Sequence, residues 1–211
     1  MKKAFQFYYI SAIVILLFGC NSGTDPVKEA KKENTEKIDS QAKTQASNDS
    51  VAAQPSVADA DFLVNAASGQ MLEMQLGQLA QENARNERVK RFGAMMIKDH
   101  GEGVEKLKAL ASSKKIALPD SISNRQQKEK GQLQQKKGAA FDEAYIAMMV
   151  DDHKKDIQEF EREATNGTNE AIKAFARDNL RMLHIHLDSA TNVQKAIPKK
   201  MRTVPPESFP H

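Results

Sequence analysis

The chain has few of the residues that interrupt helices and few of those that cross-link small domains. Its 211 residues include one cysteine, seven prolines and no tryptophan. The single cysteine, Cys20, excludes an intramolecular disulfide and a zinc site built from several thiolates. Six of the prolines lie outside residues 59–197, which contain only Pro119. Such a long stretch with so few helix breakers predicts an all-α domain, large enough to bury its own core.

The chain also lacks a strong charge of either sign. Its formal net charge is +3 at pH 7, two units of which come from Lys2 and Lys3 near the start. No basic surface for nucleic acid is indicated, so we expect no nucleic-acid partner. The sequence contains no glycine-rich phosphate loop, no HExxH helix and no nucleophile–base pattern, and we expect a protein that is not an enzyme.

Residues 1–20 have the pattern of a bacterial lipoprotein signal peptide. Lys2 and Lys3 precede a largely apolar run, which is too short for a comfortable membrane span and ends at Cys20. The ending Leu-Phe-Gly-Cys resembles a lipobox, in which the cysteine is lipidated and becomes the mature N-terminus. An ordinary signal peptide with an incidental cysteine is the alternative. The pattern predicts a protein of the cell envelope, held to a membrane through lipid on Cys20.

Two segments of the mature chain are predicted to be disordered. Residues 21–57 are rich in Lys, Glu, Asn, Ser, Thr, Gln and Ala and have little to bury, which predicts a solvated tether. Residues 198–211 contain four prolines and cannot continue a helix, which predicts a disordered tail. The folded domain is therefore expected to cover residues 58–197.

Within that domain, apolar residues at helical spacing predict four long helices. The first is expected to end near Asn83, with Asn86 as the N-cap of the second, and the other two lie on either side of Asn166-Gly167. Short linkers predict two antiparallel hairpins and hence a four-helix bundle. Ser123 and Gln126 fit a capping box for a short polar crossover helix between the hairpins. The sequence NEAIKAF at 169–175 echoes NERVKRF at 86–92, so the second hairpin is interpreted as a diverged copy of the first.

A methionine-histidine motif occurs twice in these helices. MMIKDH at residues 95–100 recurs as MMVDDH at 148–153, and each places a methionine four residues before a histidine. Residues four apart share a helix face, so Met96 is expected beside His100 and Met149 beside His153. Asp99 and Asp152, which precede the two histidines, are candidates to support the imidazole rings.

Each of the four long helices carries one titratable residue on its apolar face. These residues are Glu73, His100, His153 and His186. Burial of so many polar groups is costly unless they satisfy one another or a ligand. Two interpretations stay open, a set of hydrogen-bonded core residues and a metal site in the bundle core.

Together these features resemble the bacterial family catalogued as domain of unknown function 4142, which belongs to the ferritin-like superfamily. The resemblance implies a ferritin-like four-helix bundle, often in exported proteins, and no established activity. The segments that carry it are 62–79, 89–92, 96–100, 118–119, 141–145, 149–153 and 186–187.

The residue types limit the metal that such a site would take. No glutamate stands three residues before any histidine, so the Glu-x-x-His pattern of ferritin-like di-iron sites is absent. A set of methionine and histidine suits Cu(I), and a set of histidine and carboxylate suits Zn(II). A more distant likeness to a copper- or silver-associated periplasmic ferritin-like family favours soft metals, although this chain lacks that family's His-His pairs.

Two functions are therefore predicted. The first is a non-catalytic cell-envelope lipoprotein that binds a protein partner or contributes to stress tolerance. The second is a periplasmic protein that binds copper or zinc through the core residues.

Overall fold

All regular secondary structure in the residues described by the computed structural model, 24–45 and 54–197, is helical. This confirms the predicted all-α class. The helices are α1 (Pro26–Gln45), α2 (Val57–Asn83), α3 (Glu87–Ser113), α4 (Asn124–Gln134), α5 (Gly138–Asn166) and α6 (Glu170–Ala196).

The four long helices pack as two hairpins. Helix α2 lies along α3, and α5 lies along α6; α2 also contacts α5, and α3 contacts α6. The short helix α4 contacts α2 and α5 from outside, as expected for a crossover. None of the helices in the described ranges is long and apolar enough to cross a membrane.

Side-chain caps fix where several helices begin. Asn86 accepts a hydrogen bond from the Arg88 amide at the start of α3, and Ser123 and Gln126 form a capping box at the start of α4, which confirms both predicted caps. Asn169 caps α6 in the same way as Asn86 caps α3. These bonds satisfy amides that have no acceptor within the helix.

Two buried carboxylates hold the hairpin turns, each from the opposite hairpin. Asp142 on α5 accepts hydrogen bonds from the amides of Arg85 and Asn86 in the α2–α3 turn, at 3.1 and 3.0 Å. Asp59 on α2 accepts one from the amide of Thr168 in the α5–α6 turn, at 2.8 Å. The two acceptors, Asp59 and Asp142, are 83 residues apart, and so are the donors Arg85 and Thr168. This equal spacing supports the interpretation of the hairpins as diverged copies.

The prediction of a disordered tether over residues 21–57 is wrong for the part that forms helix α1. Ala30 and Asn34 are buried on one face of this helix. The Asn34 side chain accepts a hydrogen bond from the amide of Ala117 and donates one to the carbonyl of the same residue, at 2.7 and 2.9 Å. Asp25 accepts one from the amide of Asn124. A polar segment with few apolar residues is thus held by hydrogen bonds to Ala117, between α3 and α4, and to Asn124, the first residue of α4.

Three sequence predictions fall outside the described residues. These are the signal peptide at 1–20, the lipidated Cys20 and the tail at 198–211.

The hydrophobic core of the bundle consists of two clusters, with a polar layer between them. In each long helix, the predicted titratable residue stands between a residue of the first cluster and one of the second. Members of the first cluster include Leu76, Met96, Met149 and Ala190. Members of the second include Ala66, Leu107, Ile157 and Leu183.

Candidate metal centre in the bundle core

The polar layer brings together one residue from each long helix. Glu73 on α2, His100 on α3, His153 on α5 and His186 on α6 are each at most 2% exposed. The centroids of the three imidazole rings are 5.1 to 5.8 Å apart. All four residues therefore lie on the inner faces of their helices, as the spacing of apolar residues in the sequence predicted.

His153 and His186 face each other with nitrogens whose protons are held elsewhere. Nδ1 of His153 lies 2.9 Å from the carbonyl oxygen of Met149, which can only accept, so this nitrogen carries the proton. Nε2 of His186 lies 3.0 Å from a carboxylate oxygen of Asp99 and donates to it. The remaining nitrogens, Nε2 of His153 and Nδ1 of His186, are 3.3 Å apart. In the neutral rings each presents a lone pair to the other.

A proton or a metal ion between these two nitrogens would remove the repulsion. A proton would create a buried imidazolium, and burial lowers the pKa of His153 to about 4. Burial also lowers the pKa of His186, although the hydrogen bond from its ring to Asp99 acts in the opposite direction. At neutral pH a proton is therefore a poor occupant of this position.

His100 and Glu73 form the other half of the layer. Nε2 of His100 is 3.2 Å from one oxygen of Glu73, but the two groups are not oriented for a hydrogen bond. The other oxygen of Glu73 is 3.4 Å from Nδ1 of His153. Burial lowers the pKa of His100 and raises that of Glu73, so the neutral forms of both groups are favoured.

Buried polar atoms without a hydrogen-bond partner are concentrated in this layer. Seven such side-chain atoms occur in the described part of the chain, and three of them belong to Glu73 and His100. Buried polar atoms are rarely left unpaired, so a group of them points to a ligand or to bound water.

The three histidines can offer nitrogens to one ion. One ring nitrogen from each lies within 4.8 Å of the other two. Tetrahedral zinc with Zn–N bonds of about 2.0–2.1 Å separates its nitrogens by roughly 3.4 Å. The 3.3 Å between His153 and His186 already matches that separation, and the His100 nitrogen, within 4.8 Å of the other two, would need to move by up to about 1.4 Å.

The remaining predicted site residues have different surroundings. Met96 and Met149 are buried in the first hydrophobic cluster, where their side chains contribute packing. Asp99 supports His186 as described above. Burial raises the pKa of Asp152, whose carboxylate lies 3.5 Å from the ammonium of Lys155. His184, unlike His186, is exposed on α6.

Asp156 was missed by the sequence reasoning. It lines a small cavity next to His100, together with Glu73. Burial and the charge of Asp152 raise the pKa of Asp156 to about 7. The spacing of 83 residues that relates Asn86 to Asn169 also relates Glu73 to Asp156, and this signal would have identified the residue.

Comparisons with known proteins identify the family but give no activity. No curated protein and no solved structure matches this chain. The sequence model of the family described as Domain of unknown function (DUF4142) matches residues 29–193, which include all of α2 to α5 and most of α1 and α6. The chain therefore belongs to the DUF4142 family.

Proposed function

We propose that the protein is a non-catalytic lipoprotein of the cell envelope whose bundle core binds a divalent transition-metal ion, with Zn(II) as the best fit. The observation that supports metal binding most strongly is the His153–His186 pair. Their facing nitrogens are 3.3 Å apart, and their protons are held by Met149 and Asp99. A cation between the two lone pairs would replace repulsion with two coordinate bonds.

The donor set favours zinc. Three imidazoles would supply three ligands. Glu73, with one oxygen 3.2 Å from Nε2 of His100, would supply a fourth once it loses its proton and moves toward the ion, and four is the number in closed, non-catalytic zinc sites. Copper(II) would compete for nitrogen ligands by its higher intrinsic affinity, whereas Cu(I) prefers sulfur. The methionine side chains lie in the hydrophobic cluster, so Cu(I) is the weaker candidate.

The groups around the proposed ligands match the surroundings of known metal sites. A metal-bound histidine usually donates its other N–H to a carboxylate or a backbone carbonyl. His186 donates to Asp99, and His153 donates to the carbonyl of Met149. Both rings are therefore already oriented with an unprotonated nitrogen toward the centre of the layer.

The envelope location and the lipid anchor rest on the sequence of residues 1–20. A short apolar leader that ends at the only cysteine of the chain supports lipidation of Cys20. A metal-binding domain held near a membrane surface could store the ion or pass it to a partner.

Calorimetric titration and thermal unfolding of the full chain test metal binding, with a preparation that carries no histidine tag. Zn(II) should bind with one ion per chain and raise the stability of the domain by mass action, by about 2.7 kcal/mol at one hundred times Kd. His153→Ala and His186→Ala should abolish this gain. His184→Ala is the matched control, because His184 lies on α6 two residues from His186 but is exposed.

Identical melting of the wild type with and without metal would overturn the proposal. So would equal zinc-dependent stabilisation of the wild type and the His153 and His186 variants. In either case the histidines would be structural, and partner binding would be the better account of the domain.

A further inference from the structure

A large open cavity lies beside the polar layer. It has a volume of about 1110 Å³ and is bordered by α1, α2, α4 and α5. Glu73, one of the proposed ligands, lines it. A second, much smaller cavity of about 10 Å³ lies against His100 and has room for about one water-sized sphere.

The two cavities share part of their walls. Gly69, Glu73 and Asp156 line both. These residues separate the large cavity, which is open to solvent, from the small cavity against the imidazole of His100, and a path across this wall would connect the two. Both charged residues on this shared wall are carboxylates.

Gly69 lines both cavities, and it has no side chain to fill the space there. A glycine within a helix costs about 1 kcal/mol relative to alanine, so its position calls for a reason. A Cβ atom at Gly77 would meet the Gly93 carbonyl at 2.6 Å, which explains that glycine by helix packing. A Cβ atom at Gly69 would meet nothing within 4 Å. Packing therefore does not require a glycine here, and a larger side chain would project into the open space.

The large cavity is lined by both basic and acidic side chains, but the two titratable residues that it shares with the small cavity carry carboxyl groups, which favour a cation as the ligand. Asp152 and Asp156 line the large cavity, and Glu73 stands at its inner end with one oxygen that has no hydrogen-bond partner. The Glu73 side chain is almost completely buried. Burial raises the pKa of all three carboxyl groups, so an arriving divalent ion would displace a proton where the group is neutral and bind the carboxyl oxygen.

We propose that this path, past Gly69, Asp156 and Glu73, is the route by which a divalent metal ion enters and leaves the histidine cluster. The inference rests on the proposed metal binding and adds the access route. Glu73 is then the group that passes the ion from the cavity to the imidazoles.

A larger side chain at Gly69 tests the proposed route by its effect on the rates of metal exchange. A blocked path slows association and dissociation together and leaves their ratio unchanged, because the ligands are intact. Gly69→Phe should lower both rates of Co(II) exchange by about tenfold or more, with Kd within about threefold of the wild type. The measurement is stopped-flow absorption of the full chain with Co(II), followed by chelator competition for release.

Gly131→Phe is the matched control, because a Cβ atom at Gly131 also meets nothing within 4 Å and this residue lines neither cavity. It should exchange Co(II) at the wild-type rate. Gly69→Leu is a second variant that fills the same space, for use if circular dichroism shows that Gly69→Phe does not fold.

The outcomes separate the two proposals. If the wild type takes up no metal, both proposals fail. If the wild type binds Co(II) and the folded Gly69 variants exchange it as fast as Gly131→Phe, only the route is overturned. The ion would then enter from another side, such as that of the partly exposed Asp99.

Discussion

The orientation of the histidine rings is decided by single residues outside the ring cluster. Asp99 is one helical position from His100, yet it contacts His186 on another helix. Burial raises the pKa of Asp99, but hydrogen bonds from His186 and Lys98 outweigh it and hold the pKa below its usual value. The carboxylate is therefore ionised at neutral pH and fixes the proton of His186 on Nε2.

Asp99→Asn should weaken zinc binding without removing a ligand. The amide is neutral and holds the His186 ring less firmly, and loss of such a supporting group typically lowers metal affinity about 10–100-fold. Competition with a chromophoric chelator measures the change. Asp188→Asn is the control, because Asp188 is exposed on α6, and it should leave the zinc affinity unaltered. Equal affinities in the two variants would show that Asp99 does not support the site.

His153 should make the metal-free protein sensitive to acid. Burial lowers its pKa from 6.5 to about 4, so between these values the unfolded chain binds a proton that the folded chain does not. The free energy of unfolding therefore falls as pH is lowered through this window. Relative to His153→Gln, the wild type should lose about 3 kcal/mol between pH 7 and pH 4.

Denaturant titrations in the presence of a chelator measure this difference. Asp156 and Glu163, whose pKa values burial raises to about 7, titrate in both proteins, and their contributions largely cancel in the comparison. A constant difference between wild type and His153→Gln from pH 7 to pH 4 would mean that His153 is not desolvated.

At the scale of helices, two glycines face each other across the contact between α2 and α3. A Cβ atom at Gly77 would lie 2.6 Å from the Gly93 carbonyl oxygen, and one at Gly93 would lie 2.9 Å from that of Gly77. This contact lies within the first hydrophobic cluster, near Met96. The separation of the two helices at this level therefore depends on the missing side chains.

Gly77→Ala should destabilise the domain although alanine is the better helix former. Relief of the clash requires the helices to move apart, and such overpacking costs about 1–3 kcal/mol. Gly131→Ala on α4 is the control, and it should stabilise the domain by up to about 1 kcal/mol because its Cβ atom meets nothing. Chemical unfolding of both variants gives the comparison, and a gain in stability from Gly77→Ala would contradict the close approach.

Helix α1 shows which elements composition cannot predict. Its sequence has few apolar residues, which is typical of a solvated tether. Its order depends on Asn34 and Asp25, which bind backbone groups about 83 and 99 residues away in the chain. Contacts of this kind leave no periodic signal in the sequence, whereas the apolar stripes of the four long helices do.

At the scale of the whole molecule, the duplicated hairpin explains both the successes and the omissions of sequence reasoning. The spacing of 83 residues relates the caps Asn86 and Asn169 and the turn-binding carboxylates Asp59 and Asp142. Helical phase predicted the inner position of the three histidines and Glu73, since a one-residue shift would turn each by about 100° away from the core. It could not predict that Asp99 reaches His186, because phase within a helix does not specify contacts between helices.

The copies differ where the proposed site lies. His153 and His186 correspond, at the same spacing, to Gln70 and Gly103 of the first hairpin. A Cβ atom at Gly103 would lie 2.3 Å from the Gln70 side-chain oxygen, so these two positions are also in contact. One hairpin thus contains a glutamine packed on a glycine where the other contains a pair of histidines, and the pair is a feature of one copy only.

The lipid anchor should decide where the whole molecule resides. Lipidation requires the thiol of Cys20, and acyl chains on one residue hold a protein to a membrane by burial of their methylene groups. Expression in a bacterial host of Cys20→Ser should shift the exported protein from the membrane fraction to the soluble fraction, as measured by fractionation and immunoblotting. Ser22→Ala, two residues away, is the control and should stay with the membrane. The zinc affinity of the Cys20 variant should equal that of the wild type, because the bundle begins well after this residue. Unchanged membrane association of Cys20→Ser would show that another part of the chain provides the anchor.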